Sequence, residues 1–347
     1  MIILAIDFAI MKRLRNLLLP IVPIYYAVTW LRNTLYDLGW KSSTSYQIPI
    51  ICVGNLSVGG TGKTPTIEYL IRLLIQNHKI ATLSRGYKRE SSGFIIADEN
   101  ATATSIGDEP FQFYKKFKDV TVAVDADRRH GIAKLMAQKQ PDIILLDDAF
   151  QHRKVRAGFN ILLTAYGNLY SDDLVLPTGN LREPKSGANR ADVIIVTKCP
   201  EPLSEAEQIS IIKRLKPLPN QNVFFSFIMY SEHIFNEQGN LALTDLNDEV
   251  FTLVSGIANP KPLQDHLESK GLKFEHLSFK DHHHFTDEEI LSLKKKNRIL
   301  TTEKDYVRLL PYFKDSNALF YLPIEFKIEQ SKRFEDVLHA YLKTSLQ

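Results

Sequence analysis

The run Gly54-Asn-Leu-Ser-Val-Gly-Gly-Thr-Gly-Lys-Thr64 places glycines, a lysine and a threonine directly after the apolar stretch Ile48–Val53. Such a loop can cradle nucleotide phosphates. Glycines let successive backbone N–H groups curl round an anion, a lysine reaches the β- and γ-phosphates, and a threonine hydroxyl at the start of the next helix can ligate Mg²⁺. The residues that would form the nucleotide cradle are Ser57, Val58, Gly59, Gly60, Thr61, Gly62, Lys63 and Thr64. The usual pattern has a glycine where Ser57 stands, but the context supplies what the bare pattern lacks: an apolar run before the loop and the helix-like segment Ile67–Leu74 after it.

A second hydrophobic run, Asp142-Ile-Ile-Leu-Leu-Asp-Asp148, ends in paired carboxylates. In a protein with a phosphate cradle this is where an acid that orients Mg²⁺ belongs, with Asp147 and Asp148 as equal candidates. Gln151 and His152 follow on the same loop. Asp108, in Ser105-Ile-Gly-Asp-Glu-Pro110, stands in a tight turn before a helix, where an acid serves as a cap as readily as a catalyst. In Asp125-Ala-Asp-Arg-Arg129, Arg128 lies beyond a strand-like run and is placed either to grip a phosphate or to rest in a solvated ion pair. Arg182 and Glu183 sit in a loop bounded by Pro177 and Pro184, an ordered polar segment of the kind that carries function. Asp281-His-His-His284 suggests metal at first sight. Adjacent side chains on an extended segment point to opposite faces, however, and no distant Cys or His motif completes a site, so one histidine polarised by an acid is the better reading.

These residues need a scaffold that brings loop ends together. Apolar runs recur at Ile80–Ser84, Thr121–Val124, Asp142–Leu146, Asn160–Thr164 and Val193–Thr197, with helical spacing between several of them. The pattern predicts an α/β fold, a P-loop NTPase-like α/β/α sandwich with a mainly parallel sheet, whose ligands sit at the carboxyl ends of the strands. The periodicity weakens near Pro217–Asn222, and residues 222–249 read as a β linker. A smaller second α/β domain is expected over residues 250–347, with a helix near Pro262–Lys270 and strands near Leu272–Phe279, Arg298–Thr301 and Leu319–Leu322. The P-loop domain is expected over 41–221.

Residues 1–40 stand apart. Between Lys12 and Lys41 five basic residues face one acid, Asp37, and Ile24, Val28, Leu31, Leu35 and Leu38 recur at 4-3-4-3 spacing among Tyr and Trp rings. The uncharged run Asn16–Leu31 is short for a bilayer span and contains Pro20 and Pro23, which would interrupt it. A helix lying on a membrane surface is the expectation, with packing on its own domain as the competing one. The chain of 347 residues, 44% hydrophobic and 24% charged, can bury a sizeable core in about two domains. Two cysteines exclude a disulfide framework, and a net charge of +3 gives no argument for nucleic acid. The first ten residues carry Asp7 and lack a basic start, so they do not read as a signal peptide, and Met11 offers a second possible start.

Taken in order, the cradle, Ser84-Arg-Gly-Tyr87, Gly107-Asp-Glu-Pro110, Leu146-Asp-Asp-Ala-Phe-Gln-His152, Leu181-Arg-Glu-Pro184, Asp281-His-His283 and Thr302-Glu-Lys-Asp305 resemble the tetraacyldisaccharide 4′-kinase, or lipid A 4′-kinase, family. The resemblance implies an ATP- and Mg²⁺-dependent enzyme at the cytoplasmic face of a bacterial inner membrane. Its acceptor would be the 4′-hydroxyl of a tetraacylated glucosamine disaccharide 1-phosphate, and its product lipid IVA. It further implies Asp108 as the base and His282 as its partner, Thr64, Asp147, Asp148 and Glu183 near the metal, and Arg128, Gln151, His152 and Arg182 near the substrate. Domain closure on the substrate is then expected, and no protein partner is evident. Ala149 departs from the glycine that many members carry. The rival is a P-loop ATPase or GTPase switch acting on a protein, but Thr197-Lys-Cys-Pro200 lacks the Asn and Asp of a guanine-reading motif.

Overall fold

The computed structural model describes residues 15–247, 250–281, 283–314 and 316–346. The chain divides into two compact units: one runs to Arg85 and includes Asp119–Phe227 and the segment from Lys327 onward; the other comprises Gly86–Lys118 and Ile228–Phe326.

The first unit is built on seven parallel strands: β1 (Ile50–Asn55), β2 (Ile80–Ser84), β3 (Thr121–Val124), β4 (Ile143–Asp147), β5 (Phe159–Ala165), β6 (Val193–Thr197) and β7 (Asn222–Tyr230). Their spatial order is β7-β6-β5-β1-β4-β2-β3. Strands β1, β2, β4 and β6 are buried along their whole length, as Val/Ile/Leu-rich runs covered on both faces must be. The cradle strand β1 lies between β5 and β4, so the glycine loop and the paired carboxylates leave neighbouring strands at the same edge. This is where the direction of strand order reverses, at the carboxyl ends of the strands, the place where such sheets bind ligands.

The second unit has a six-stranded sheet of β8 (His233–Asn236), β9 (Gly239–Ala242), β10 (Phe251–Ser255), β11 (Phe274–Ser278), β12 (Ile299–Thr301) and β13 (Leu319–Tyr321), in the order β9-β8-β13-β12-β10-β11. Its four strands β10 to β13 pair in parallel, and the hairpin β8–β9 adds an antiparallel edge. Alternation along the strands divides the core in two: Leu253, Leu300 and Phe320 pack on one face with Leu263 and Leu267, and Val254, Ile299 and Leu319 on the other with Ile290 and Leu309.

These units do not follow the boundaries expected from sequence. Strand β7 pairs with β6 and completes the large sheet, and the following hairpin belongs to the second sheet, so residues 222–249 are not a linker. Residues 86–118, expected inside the P-loop domain, belong to the second unit, where helix Asp108–Lys116 packs on helix Glu303–Leu309. The end of the chain returns to the first unit as helix Ser331–Ser345. Its ring contacts explain why: Phe334 meets Phe224 edge-on at 5.4 Å and Tyr341 stacks on Phe159 at 5.0 Å. Pro20 and Pro23 do not interrupt the N-terminal helix Val22–Asp37. Both fall in the first turn of their elements, where no backbone donor is needed.

Phe334 is wholly buried against the large sheet. Phe334→Ala is expected to cost about 3–5 kcal/mol of stability, read as a lower denaturation midpoint of the full chain, whereas trimming the exposed Leu346 should change little.

Candidate active site

Gly62 lies at φ 86° and caps helix Lys63–Leu74, with the Thr66 hydroxyl donating to its carbonyl at 2.8 Å. Gly59 is at φ 111°, and a Cβ built there would meet nothing within 4 Å, so the loop leaves room where phosphates would lie. Ser57 is not among the residues with positive φ, which is why the glycine of the usual pattern is dispensable at that position. Two side chains of the β6 end fix the loop from outside: Thr197 Oγ1 donates to the Thr61 carbonyl at 2.8 Å, and Lys198 Nζ to that of Gly60 at 2.6 Å. The Val58 N–H is itself taken by the Asn180 carbonyl at 2.8 Å, so an anion would draw on the N–H groups nearer the helix start. Gly54 has a separate reason to be glycine, since a Cβ would come within 2.6 Å of the Phe150 Cβ.

The turn after β4 crosses this loop. Asp148 adopts φ 47°, which turns its carboxylate back toward the cradle. Its Oδ1 lies 3.7 Å from Lys63 Nζ and accepts from Arg182 Nη1 at 2.9 Å. Burial pushes the Asp148 carboxyl up, but Lys63 and Arg182 outweigh it and hold the pKa below the usual carboxylate range. Lys63 also reaches Asn55 Oδ1 at 3.4 Å. Asp147, the last residue of β4, is buried. An oxygen-rich set of Thr64, Asp147 and Asp148 beside a helix N-terminus and a lysine fits a hard divalent cation bound to phosphates.

Glu183 does not fit the metal role expected of it. It is 1% exposed, and both oxygens are taken: Oε1 accepts from Gln151 at 3.0 Å and Arg190 at 2.7 Å, and Oε2 from Asn33 Nδ2. A carboxylate so engaged holds loops together. Gln151 likewise bridges rather than faces outward: Nε2 donates to the Asn55 carbonyl at 2.8 Å as well as to Glu183, and Oε1 lies 3.4 Å from Arg182 Nη1. Arg128 is 2% exposed and donates to the backbone carbonyls of Asp125 at 2.8 Å and Asp147 at 3.3 Å, so its guanidinium steadies the turn instead of reaching for a phosphate. Burial, helped by Arg128, pulls the His152 pKa down to about 4, which keeps that ring neutral near pH 7. Of the substrate candidates, Arg182 lies beside Asp148, and Gln151 touches both Arg182 and the Asn55 carbonyl. Ala149 is buried with an ordinary negative φ, so the glycine it replaces is not needed for conformation.

The N-terminal helix docks onto these same loops through its polar side, a contribution with no motif to announce it. Tyr25 Oη donates to the Arg182 carbonyl at 3.0 Å, Arg32 to that of Gln151 at 2.8 Å, and Arg153 returns a bond to the Asn33 carbonyl at 3.0 Å. Asn33, the one buried residue of that helix, could have been found as a polar residue opposite the apolar stripe. Ile24 and Val28 are 65% and 62% exposed, and Leu31 and Leu38 are open as well. Residues 1–14 lie outside the described residues.

Asp108 lies in the second unit. It is the first residue of helix Asp108–Lys116 rather than its cap, a position held by Gly107 at φ 96°. Its expected partner His282 is outside the described residues. His283 has a structural role: Nε2 lies 2.8 Å from Glu289, within the Thr286–Glu289 capping box, and the ring stacks on Phe279 at 4.8 Å. Among the described residues no group of three or more potential ligands is arranged for a metal ion.

A profile of the tetraacyldisaccharide-1-P 4′-kinase family matches residues 14–343. The chain belongs to this family. It is 51% identical to a tetraacyldisaccharide 4′-kinase of Flavobacterium johnsoniae over 97% of this chain and 100% of the relative, and 44% identical to one of Bacteroides thetaiotaomicron over 95% and 94%. Among solved structures, LpxK of Aquifex aeolicus, crystallised with ATP, superposes with a TM-score of 0.77 at 31% identity, covering 95% of this chain and 99% of that one. As in other members of the kinase family, the large unit is a P-loop NTPase-like α/β layer structure.

Because the folded-state pKa of Asp148 is depressed, its ionisation stabilises the protein above its unfolded value, near ~3.9, and that stabilisation is lost as pH falls through the folded value. Asp148→Asn should therefore flatten the dependence of stability on pH below about 4, measured by denaturation at graded pH. An unchanged slope would mean the Lys63 and Arg182 contacts do not act on Asp148 in solution.

Proposed function

We propose that this chain transfers the γ-phosphoryl group of ATP to the 4′-hydroxyl of a tetraacylated glucosamine disaccharide 1-phosphate, giving lipid IVA. The observation that carries the transfer reading is the meeting of Lys63 and Asp148 at the N-terminus of helix Lys63–Leu74; the acceptor follows from family membership and the relatives' name. ATP with Mg²⁺ supplies the phosphoryl group and neutralises its charge. The chain's part is placement: the cradle N–H groups and Lys63 hold the phosphates, Thr64 with Asp147 and Asp148 holds the cation, and Arg182 adds positive charge at the same edge. Asp108 takes the proton of the acceptor hydroxyl, with His282 as its partner; this assignment rests on the family resemblance.

The acceptor carries fatty chains, and the N-terminal helix supports a membrane-surface reading. Its polar side is engaged by the loops after β4 and around Arg182, and its apolar side remains open. No helix among the described residues is long and apolar enough to cross a membrane. Peripheral binding at the cytoplasmic face of the inner membrane is the reading we adopt, since ATP is supplied there.

Two measurements test these points. Lys63→Ala should lower kcat/KM for phosphate transfer to the disaccharide lipid by several orders of magnitude, about 3–5 kcal/mol, with the fold retained. ATP hydrolysis without transfer by the unaltered protein would favour the switch reading instead. Replacing Ile24, Val28 and Leu31 together by glutamate should release the protein from anionic vesicles in flotation while Asn33 keeps its bond to Glu183; co-flotation undiminished by the triple substitution would show that this helix face does not bind the membrane.

A further inference from the structure

The second unit contains a chain of charge that includes Asp108. Asp108 Oδ2 accepts from Arg308 Nη2 at 2.5 Å, and the other arm of the same guanidinium, Nη1, donates to Asp305 Oδ1 at 3.0 Å. Asp305 is completely buried, and its second oxygen accepts from the Gly256 backbone N–H and the Thr302 hydroxyl, both at 2.8 Å. Thr302 is also the N-cap of helix Glu303–Leu309, accepting from the Asp305 backbone N–H at 3.2 Å. Asp305 is thus immobilised, and through it Arg308, whose side chain is 9% exposed.

The contact is one of several that join these two helices. Lys304 pairs with Glu109 at 3.1 Å and Asp281 at 3.2 Å, and Lys116 with Glu303 at 2.5 Å, so three other ion pairs already join or flank the same elements. What Arg308 adds is direction: a planar fork with one arm anchored presents the other at a fixed angle, which a flexible ammonium cannot do. We propose that Arg308, anchored by Asp305, is a positioning residue that sets the orientation of the Asp108 carboxylate toward the acceptor hydroxyl. This gives Thr302 and Asp305 a purpose within the motif they share: they hold the arginine that aims the base. The inference rests on the reading of Asp108 as the base in the proposed function.

The test uses the full chain and compares wild type, Arg308→Ala, Arg308→Lys and Asp108→Asn in steady-state transfer to the disaccharide lipid. A misaimed base costs turnover and not nucleotide binding, so Arg308→Ala should lose about 100-fold in kcat with KM for ATP unchanged. Arg308→Lys keeps the charge beside Asp305 and the fold, yet should recover little of that loss because one ammonium cannot serve both carboxylates in the same geometry. Millimolar guanidinium ion should restore part of the activity of Arg308→Ala and none to Asp108→Asn. Near-wild-type kcat in folded Arg308→Lys or Arg308→Ala, with Asp108→Asn inactive, would overturn the role of Arg308 and leave the base in place. An active Asp108→Asn would instead remove the base reading itself. If Arg308→Ala does not fold, the lysine variant decides alone, since its charge still satisfies the buried Asp305.

Discussion

A carboxylate wholly or partly withdrawn from water has to be matched by positive charge or hydrogen-bond donors, and the large unit is organised round two that are, the buried Glu183 and the half-buried Asp148. Asp148 meets Lys63 and Arg182; Glu183 meets Gln151, Arg190 and Asn33. Those donors come from the cradle, the turn after β4, the loop near Pro184 and the N-terminal helix. Four separate stretches of chain are therefore tied by the requirement that two acids be satisfied, and removing one partner strands the remaining charges. Because the acids sit at the carboxyl ends of parallel strands, the ties also fix the edge where nucleotide chemistry takes place.

The same solution recurs in the second unit with different parts. Asp305 is buried there and is matched by Arg308, Thr302 and the Gly256 amide. In both units an arginine bridges an acid and a second acceptor: Arg182 reaches Asp148 and Gln151 through Nη1, and Arg308 holds Asp305 with one arm and Asp108 with the other. Rigid forks are well suited to this, because the orientation set by one bond is transmitted to the next.

The helix Val22–Asp37 packs on its own domain, but not by the stripe that the sequence pointed to. Packing on its own domain and lying on a membrane were competing uses of one apolar stripe, yet the packing is polar and leaves the stripe open. A surface helix normally buries its apolar side; here the side that carries Tyr25, Arg32 and Asn33 is buried instead. The loops of the candidate site are thus tied to the polar side of this helix, while its apolar side stays open.

The sequence by itself determined β1 to β6 of the large sheet, though not β7, together with the cradle with its Ser57 substitution and the paired carboxylates. Each is a local pattern: a run of β-branched and aliphatic residues buried on both faces, a loop that demands positive φ at Gly59 and Gly62, and an acid pair at a strand end. Seven short motifs in order were also enough to point to the family. Only the tertiary structure decided that Glu183 and Gln151 join loops, that Arg128 holds a turn, and that residues 86–118 and the chain's last helix each belong to a unit distant in sequence. The reason is physical. Periodicity and turn chemistry are properties of neighbours along the chain, whereas the partner that satisfies a buried charge, such as Arg308 for Asp108 across 200 residues, is chosen by what the fold brings within hydrogen-bonding distance.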